Sequence, residues 1–219
     1  MDSEDRHSEP IEPEVIVDPD EKASREVRNG FRQFDHAIEQ IEYWLQTERP
    51  FKLRPSAIIS LNRLALEGLT GFAGSYRPAA IAIKGSKHSP PPPHLVPELV
   101  EELCDYVNTN WNRSPIHLAS YILWRLNWIH AFVDGNGRTS RVTAFVVLCV
   151  RLGYCVPGSP TIPELISRDK QPYYSALERA DAVFEREQKV DVTAMEGLVN
   201  SLLAIQLASV IHDAKADRS

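Results

Sequence analysis

Apolar residues recur at helical spacing along most of the chain. Between Ala23 and Gln46 they fall at Val27, Phe31, Phe34, Ile38, Ile41 and Leu45, which predicts an amphipathic helix with Ser24 as N-cap and Pro50 beyond its end. A second helix is predicted over 55–69. Pro55 lies in its first turn, Ile58, Ile59, Leu61, Leu64 and Leu66 are apolar, and Gly68 and Gly71 follow as stop signals. A third is predicted at 93–106, through Leu95, Val96, Leu99, Val100 and Leu103. Ser114-Pro115 opens a fourth that runs to about Ile129 and is apolar almost all round, and Thr139–Leu152 is nearly as apolar. Helices with so little polar face belong in the centre of a domain. Two further amphipathic helices are predicted at 171–187 and 191–213, the latter with Asp191 as N-cap.

One segment breaks the pattern. Residues 72–94 place Tyr76, Ile81 and Ile83 among small residues, turn at Lys84-Gly85-Ser86 and run into four prolines, Pro90 to Pro93. This reads as a short irregular hairpin with a polyproline-like connector. The expected fold class is therefore all-α, with one core domain over 23–213, an acidic tail at 1–22 and a short C-terminal tail at 214–219.

Charge and composition narrow the function classes. The tail holds nine acids against Arg6 and Lys22, which more than accounts for the net charge of −6 over 219 residues. The remainder is near neutral, which gives no electrostatic footprint for nucleic acid or a membrane surface. The apolar run Val142–Val150 is far shorter than the ~18 residues of a membrane span, and no basic-then-apolar leader is visible. Cys104, Cys149 and Cys155 lack metal-ligand spacing and read as reduced, buried thiols, so the expected location is cytoplasmic.

The chemistry is concentrated in IHAFVDGNGRTSR, Ile129 to Arg141, between the two apolar helices. Gly135 and Gly137 around Asn136 permit positive φ and close approach to backbone, and they stand at a helix start. Successive N–H groups and the positive end of the helix dipole would together hold phosphate oxygens. Arg138 and Arg141, three residues apart, can pair further phosphate oxygens. A carboxylate beside such a nest makes sense as a divalent-cation ligand, so Asp134 reads as a Mg²⁺ ligand shared with phosphate. No lysine follows in P-loop spacing. His130, at the end of the buried helix, suits general-base removal of a proton from an attacking hydroxyl. Tyr174 is a candidate for stacking on a nucleotide base, with core packing as the alternative for Tyr173 and Tyr174 alike. The residues alone support divalent-metal-assisted phosphoryl or nucleotidyl transfer.

The run HAFVDGNGRTSR is similar to the signature of the Fic family, H-P-F-x-(D/E)-G-N-G-R-x-x-R, departing at Ala131 where proline is usual. Gly74-Ser75-Tyr76-Arg77 with the following IAIKGSKHSPPPP resembles the flap before the Fic core, and the stretch around Tyr173-Tyr174-Ser175-Ala176-Leu177 resembles the nucleotide-side helix. The resemblance spans roughly 24–210. It implies a helical Fic fold with a small β-hairpin flap, and transfer of AMP from ATP to a Ser, Thr or Tyr hydroxyl of a target protein, releasing pyrophosphate. It also implies roles: His130 as general base, Asp134 holding Mg²⁺, Gly135, Asn136 and Gly137 as the anion hole, and Arg138 and Arg141 on the β/γ phosphates. The flap at Ile81, Ala82, Ile83 and Lys84 would pair with an extended target segment.

No complete inhibitory (S/T)-x-x-x-E-(G/N) motif is present. Glu67-Gly68 has Arg63 in the first position, Glu196-Gly197 has Val192, and Ser8…Glu12 is followed by Pro13. The expectation is a chain without self-inhibition or one inhibited by a separate protein, with a homodimer left open. Three alternatives remain at the level of sequence: another donor (UTP, GTP or a CDP-alcohol), removal of AMP by the same site, and a non-catalytic Fic-type binding or toxin–antitoxin module.

Overall fold

The computed structural model describes residues 15–46 and 48–216, without the side chains of 211–216. The architecture is helical: α1 (Pro19–Gln46), α2 (Pro55–Leu66), α3 (Val96–Thr109), α4 (Pro115–Ile129), α5 (Asn136–Leu152), α6 (Ile162–Arg168), α7 (Gln171–Glu187) and α8 (Thr193–Ala216), with a 3-10 turn Pro93–Leu95 leading into α3.

The all-round apolar sequences of α4 and α5 put them at the centre, where they pack most extensively on each other. Leu118, Ile122, Trp124, Leu126 and Ile129 of α4 and Phe145, Val147 and Cys149 of α5 are fully or almost fully buried. The helices α1 and α2 cover α5 on one side, while α3, α7 and α8 cover α4. Ser114 caps α4 as expected, its side chain accepting from the His117 N–H, with Pro115 in the first turn. The centre of the domain is thus a rigid pair of helices joined by the short loop His130–Gly135.

Several expected elements shift. The first helix starts at Pro19, inside the stretch expected to be tail, and its cap is Asp18 rather than Ser24. The Asp18 carboxylate accepts the N–H groups of Asp20 (2.9 Å) and Glu21 (3.3 Å). Its buried stripe is Asn29, Gln33, Ala37 and Ile41, whereas Val27 and Phe31 are 62% and 69% exposed. Hydrogen bonding explains the exchange. Asn29 Nδ2 donates to the Glu67 carbonyl (2.9 Å) at the C-cap of α2, and Gln33 Nε2 donates to the Leu61 carbonyl (3.1 Å) within that helix, which an apolar side chain cannot do. The motif helix α5 starts at Asn136, three residues before the expected Thr139. The short α6, closed by a Thr161–Glu164 capping box, has no counterpart in the sequence reading. Residues 1–14 of the acidic tail expected at 1–22, including Ser8 and Glu12, lie outside the described residues, as do 217–219.

The β-hairpin expected at the flap does not form. Segment 72–94 holds no β-strand; an antiparallel bridge joins Tyr76 to Phe132, and the chain reverses at Ile83–Ser86 with Gly85 at φ 73°. Pro78 and Pro90–Pro93 have no N–H to give a ladder, and the carbonyls of Ala79 and Pro91 are taken by the Arg77 side chain instead. One further expectation changes. The Thr193–Val210 part of α8 is long and apolar enough to cross a membrane by length and composition. It packs on α4, α6 and α7, and its buried Gln206 ties down the 156–162 loop through the Val156 carbonyl (3.0 Å) and the Ile162 N–H (2.8 Å).

Candidate active site

The site begins where α4 ends. His130 is the C-cap in the left-handed conformation (φ 50°, ψ 57°), which turns the chain sharply out of the helix. Its ring is buried, with the residue 7% exposed, and hydrogen-bonds to the backbone at Asn127. Burial pushes the imidazole down from its usual 6.5 to about 4. The Asn127 backbone bond and Asp134 oppose this, while Arg77 and His88 reinforce it. At neutral pH burial keeps the ring uncharged.

The loop is closed by Asn136. Its Oδ1 accepts from the Phe132 N–H (2.9 Å) and its Nδ2 donates to the Phe132 carbonyl (2.8 Å), with Asn136 only 3% exposed. The side chain therefore works as a clamp on the loop backbone, while its main chain lies in the first turn of α5. Gly135, N-cap of α5, sits at φ 73° and offers no capping side chain to the N–H groups behind it. A Cβ there would come 3.1 Å from Asn62 Nδ2, so the position needs glycine for both reasons. A Cβ on Gly137 would come 3.1 Å from the Arg141 guanidinium, which places Arg141 over the first turn of the helix.

The charged end is open. The Asp134 side chain is 53% exposed; Oδ1 accepts from the Gly135 N–H (2.6 Å) and Oδ2 from Arg138 (3.0 Å). Glu26 of α1 approaches Arg138 at 3.9 Å. Asp134, Arg138, Arg141 and the start of α5 thus gather on one side of the loop. Asp134 is a single carboxylate: among the described residues no group of three or more His, Cys, Asp or Glu could hold a metal ion.

The structure separates the two tyrosines. Tyr173 is buried, its hydroxyl accepting from Asn127 Nδ2 (2.7 Å) and lying 3.4 Å from Ser140 Oγ, which braces α5 against α4 and α7. Tyr174 is half-buried beside it, the ring centroids 6.1 Å apart. In the flap, Ala82 and Lys84 are exposed, Ile81 and Ile83 half-buried. The two glutamates weighed as inhibitors have other partners: Glu67 pairs with Arg32, and Glu196 Oε1 is 2.6 Å from His117 Nδ1.

Three residues escaped the sequence reading. Asn62 of α2, fully buried, donates to the Asp134 carbonyl (3.0 Å) and accepts the Gly74 N–H (3.0 Å). A polar residue amid Ile58, Leu61, Ala65 and Leu66 was its available signal. Arg77, 2% exposed, donates from Nε to the His130 carbonyl (2.8 Å). Glu26 gave no signal in sequence.

The model of the Fic/DOC family matches residues 52–148. A protein adenylyltransferase Fic of Drosophila willistoni is 34% identical over 127 residues, 57% of this chain and 24% of the relative. A probable protein adenylyltransferase of Aquifex aeolicus is 29% identical over 106 residues, 48% of this chain and 30% of the relative. The chain thus spans about a quarter to a third of the length of these relatives. The solved structure of Fic-1 (residues 134–508) from C. elegans superposes with a TM-score of 0.67 at 21% identity, over 92% of this chain and 56% of the other, a likeness of fold.

Proposed function

Taking as premise that the domain at 52–148 makes this a Fic-family protein, we propose that it is a protein adenylyltransferase acting through the α4–α5 loop. One observation carries the reading: an uncharged, buried imidazole at His130 shares a short loop with the open, arginine-bearing N-terminus of α5. In the proposed reaction a Ser, Thr or Tyr hydroxyl oxygen of a target protein attacks the α-phosphorus of ATP. A new P–O bond forms, the bond to the β-phosphate bridge breaks, pyrophosphate leaves, and the hydroxyl proton passes to His130.

The other residues hold the donor. The first-turn N–H groups of α5 and the guanidinium groups of Arg138 and Arg141 face negative charge on the polyphosphate. Asp134 fits Mg²⁺ as one exposed carboxylate in a site whose remaining ligands would be phosphate oxygens and water. When bound, the ion would neutralise phosphate charge; Asp134 would then exchange its bond to Arg138 for the metal. Tyr174 is the candidate for contact with the base. Residues Ile81–Lys84 meet the target through backbone groups of a segment that forms no β-strand. With neither Glu67 nor Glu196 spare, inhibition in trans by a separate protein is the proposed mode of control, and the proposed setting is cytoplasmic.

Incubation of the purified chain with Mg²⁺, a lysate, and ATP labelled at either the α- or the γ-phosphate tests this. Label on protein from α-labelled ATP alone is expected. Label from the γ-position would make it a kinase, and none from ATP alongside transfer from UTP, GTP or a CDP-alcohol would change the donor.

A further inference from the structure

Arg77 is among the largest fully buried side chains of the protein, and it is charged. Its guanidinium is spent on main-chain oxygens. Nε donates to the His130 carbonyl (2.8 Å), Nη1 to the Ala79 carbonyl (3.0 Å) and Nη2 to the Pro91 carbonyl. Its own N–H donates to the Ala131 carbonyl at 3.0 Å. One residue thus joins three pieces of chain: the start of the flap, its end at Pro91, and the loop at 130–131.

Burying a cation against neutral carbonyls is a costly way to fill space, and burial lowers the Arg77 pKa accordingly. An apolar side chain would fill it at less cost; what arginine adds is a rigid fork of donors. Those donors fall where the loop needs them. His130 is a non-glycine residue in the left-handed region, and its carbonyl has left the α4 ladder. Ala131, which follows, does not restrain its own φ. The two carbonyls on either side of the Ala131 Cα are the two that residue 77 holds.

We propose that Arg77 is a positioning residue that locks the His130 backbone in its catalytic conformation and couples it to the target-binding segment 78–91. The inference rests on the proposed transfer reaction but has a readout outside it. Disorder at either end of segment 78–91 reaches the base through the guanidinium, so loosening it must loosen both segments together. Asn62 holds the other end of the loop, at Asp134, so the donor site is expected to survive loss of Arg77.

The test uses the full chain with Arg77→Lys, which keeps the charge but not the fork, and Arg77→Ala. Amide hydrogen exchange and steady-state transfer are measured on each. Exchange is expected to accelerate roughly ten-fold or more in 79–91 and 128–134 together, with α1 and α7 unchanged. A kcat loss of roughly 10- to 100-fold is expected, with KM for ATP within about three-fold. Ethylguanidinium added to Arg77→Ala should restore part of the kcat, and ethylammonium should not. Unchanged exchange at 128–134 in Arg77→Lys, or exchange rising equally in every helix, would overturn the proposal. If the unaltered chain transfers no AMP, the functional reading fails while the exchange pattern still decides the role of Arg77.

Discussion

The two ends of the loop between α4 and α5 are built on opposite principles. At the base end His130, Asn136 and Arg77 are 7%, 3% and 2% exposed, and their fixed partners are main-chain groups. At the phosphate end the Asp134 and Arg138 side chains are 53% and 26% exposed and are paired with each other and with Glu26. The first end is organised before any ligand arrives, and its conformation belongs to the stability of the fold. The second holds charges paired with one another, and under the proposed function these would exchange partners when a nucleotide bound. Substitutions at the two ends should therefore separate stability from affinity.

The largest loss of stability is expected at the buried end. Asn136→Ala strips both partners from the Phe132 backbone and leaves a buried donor and acceptor unsatisfied, a cost of roughly 2–5 kcal/mol by denaturant unfolding. A variant as stable as the parent would show that the loop closes without this clamp.

A comparable effect is expected from pH. The folded His130 titrates near 4 against a usual 6.5. As pH falls below 6.5 the unfolded chain takes up a proton that the folded chain refuses, so stability is lost between about 6.5 and 4 and is flat, for this group, above that window. The full effect is roughly 3 kcal/mol. It should disappear in His130→Ala, measured by unfolding at pH 7 and pH 4.5. The acid limb of transfer assigned to His130 should lie well below pH 6.5 if the neutral ring is the base, as proposed.

Asp134→Ala should reverse the pattern. Its exposed ion pair contributes less than about 1 kcal/mol to stability, while transfer falls on the order of 100-fold and its Mg²⁺ dependence shifts to higher concentration. Equal losses of stability and transfer would erase the distinction between the ends. The smallest effect is expected at Glu26→Gln. Removing a competitor 3.9 Å from Arg138 should tighten ATP binding by about two-fold, read by titration calorimetry.

What the sequence made legible follows the same division. The helices α2, α4 and α7 are marked by periodicity, and the first two also by Pro55 and Ser114, which act locally. The phosphate end is also local, since Asp134, Gly135, Gly137, Arg138 and Arg141 lie within one turn and its approach. The base end is not. Arg77 reaches it from 53 residues away, as Asn62 reaches the Asp134 backbone from 72, and no spacing rule connects either to the loop. The same reason explains the start of α1, where Asn29 and Gln33 turn inward to α2 carbonyls while Val27 and Phe31 are exposed, although Phe34, Ile38, Ile41 and Leu45 pack on the core as their spacing predicts. The flap reads as a hairpin by its turn, but the donors and acceptors a ladder would need are missing in its prolines or engaged by Arg77.

The most direct measurement compares His130→Ala with the unaltered chain for AMP transfer from α-labelled ATP, alongside ATP affinity for both. Transfer is expected to fall roughly 10²- to 10⁴-fold with affinity unchanged, because the proposed donor site is at the other end of the loop. Transfer that persists in the variant, or that vanishes only with ATP binding, would contradict the assignment of His130 as the base.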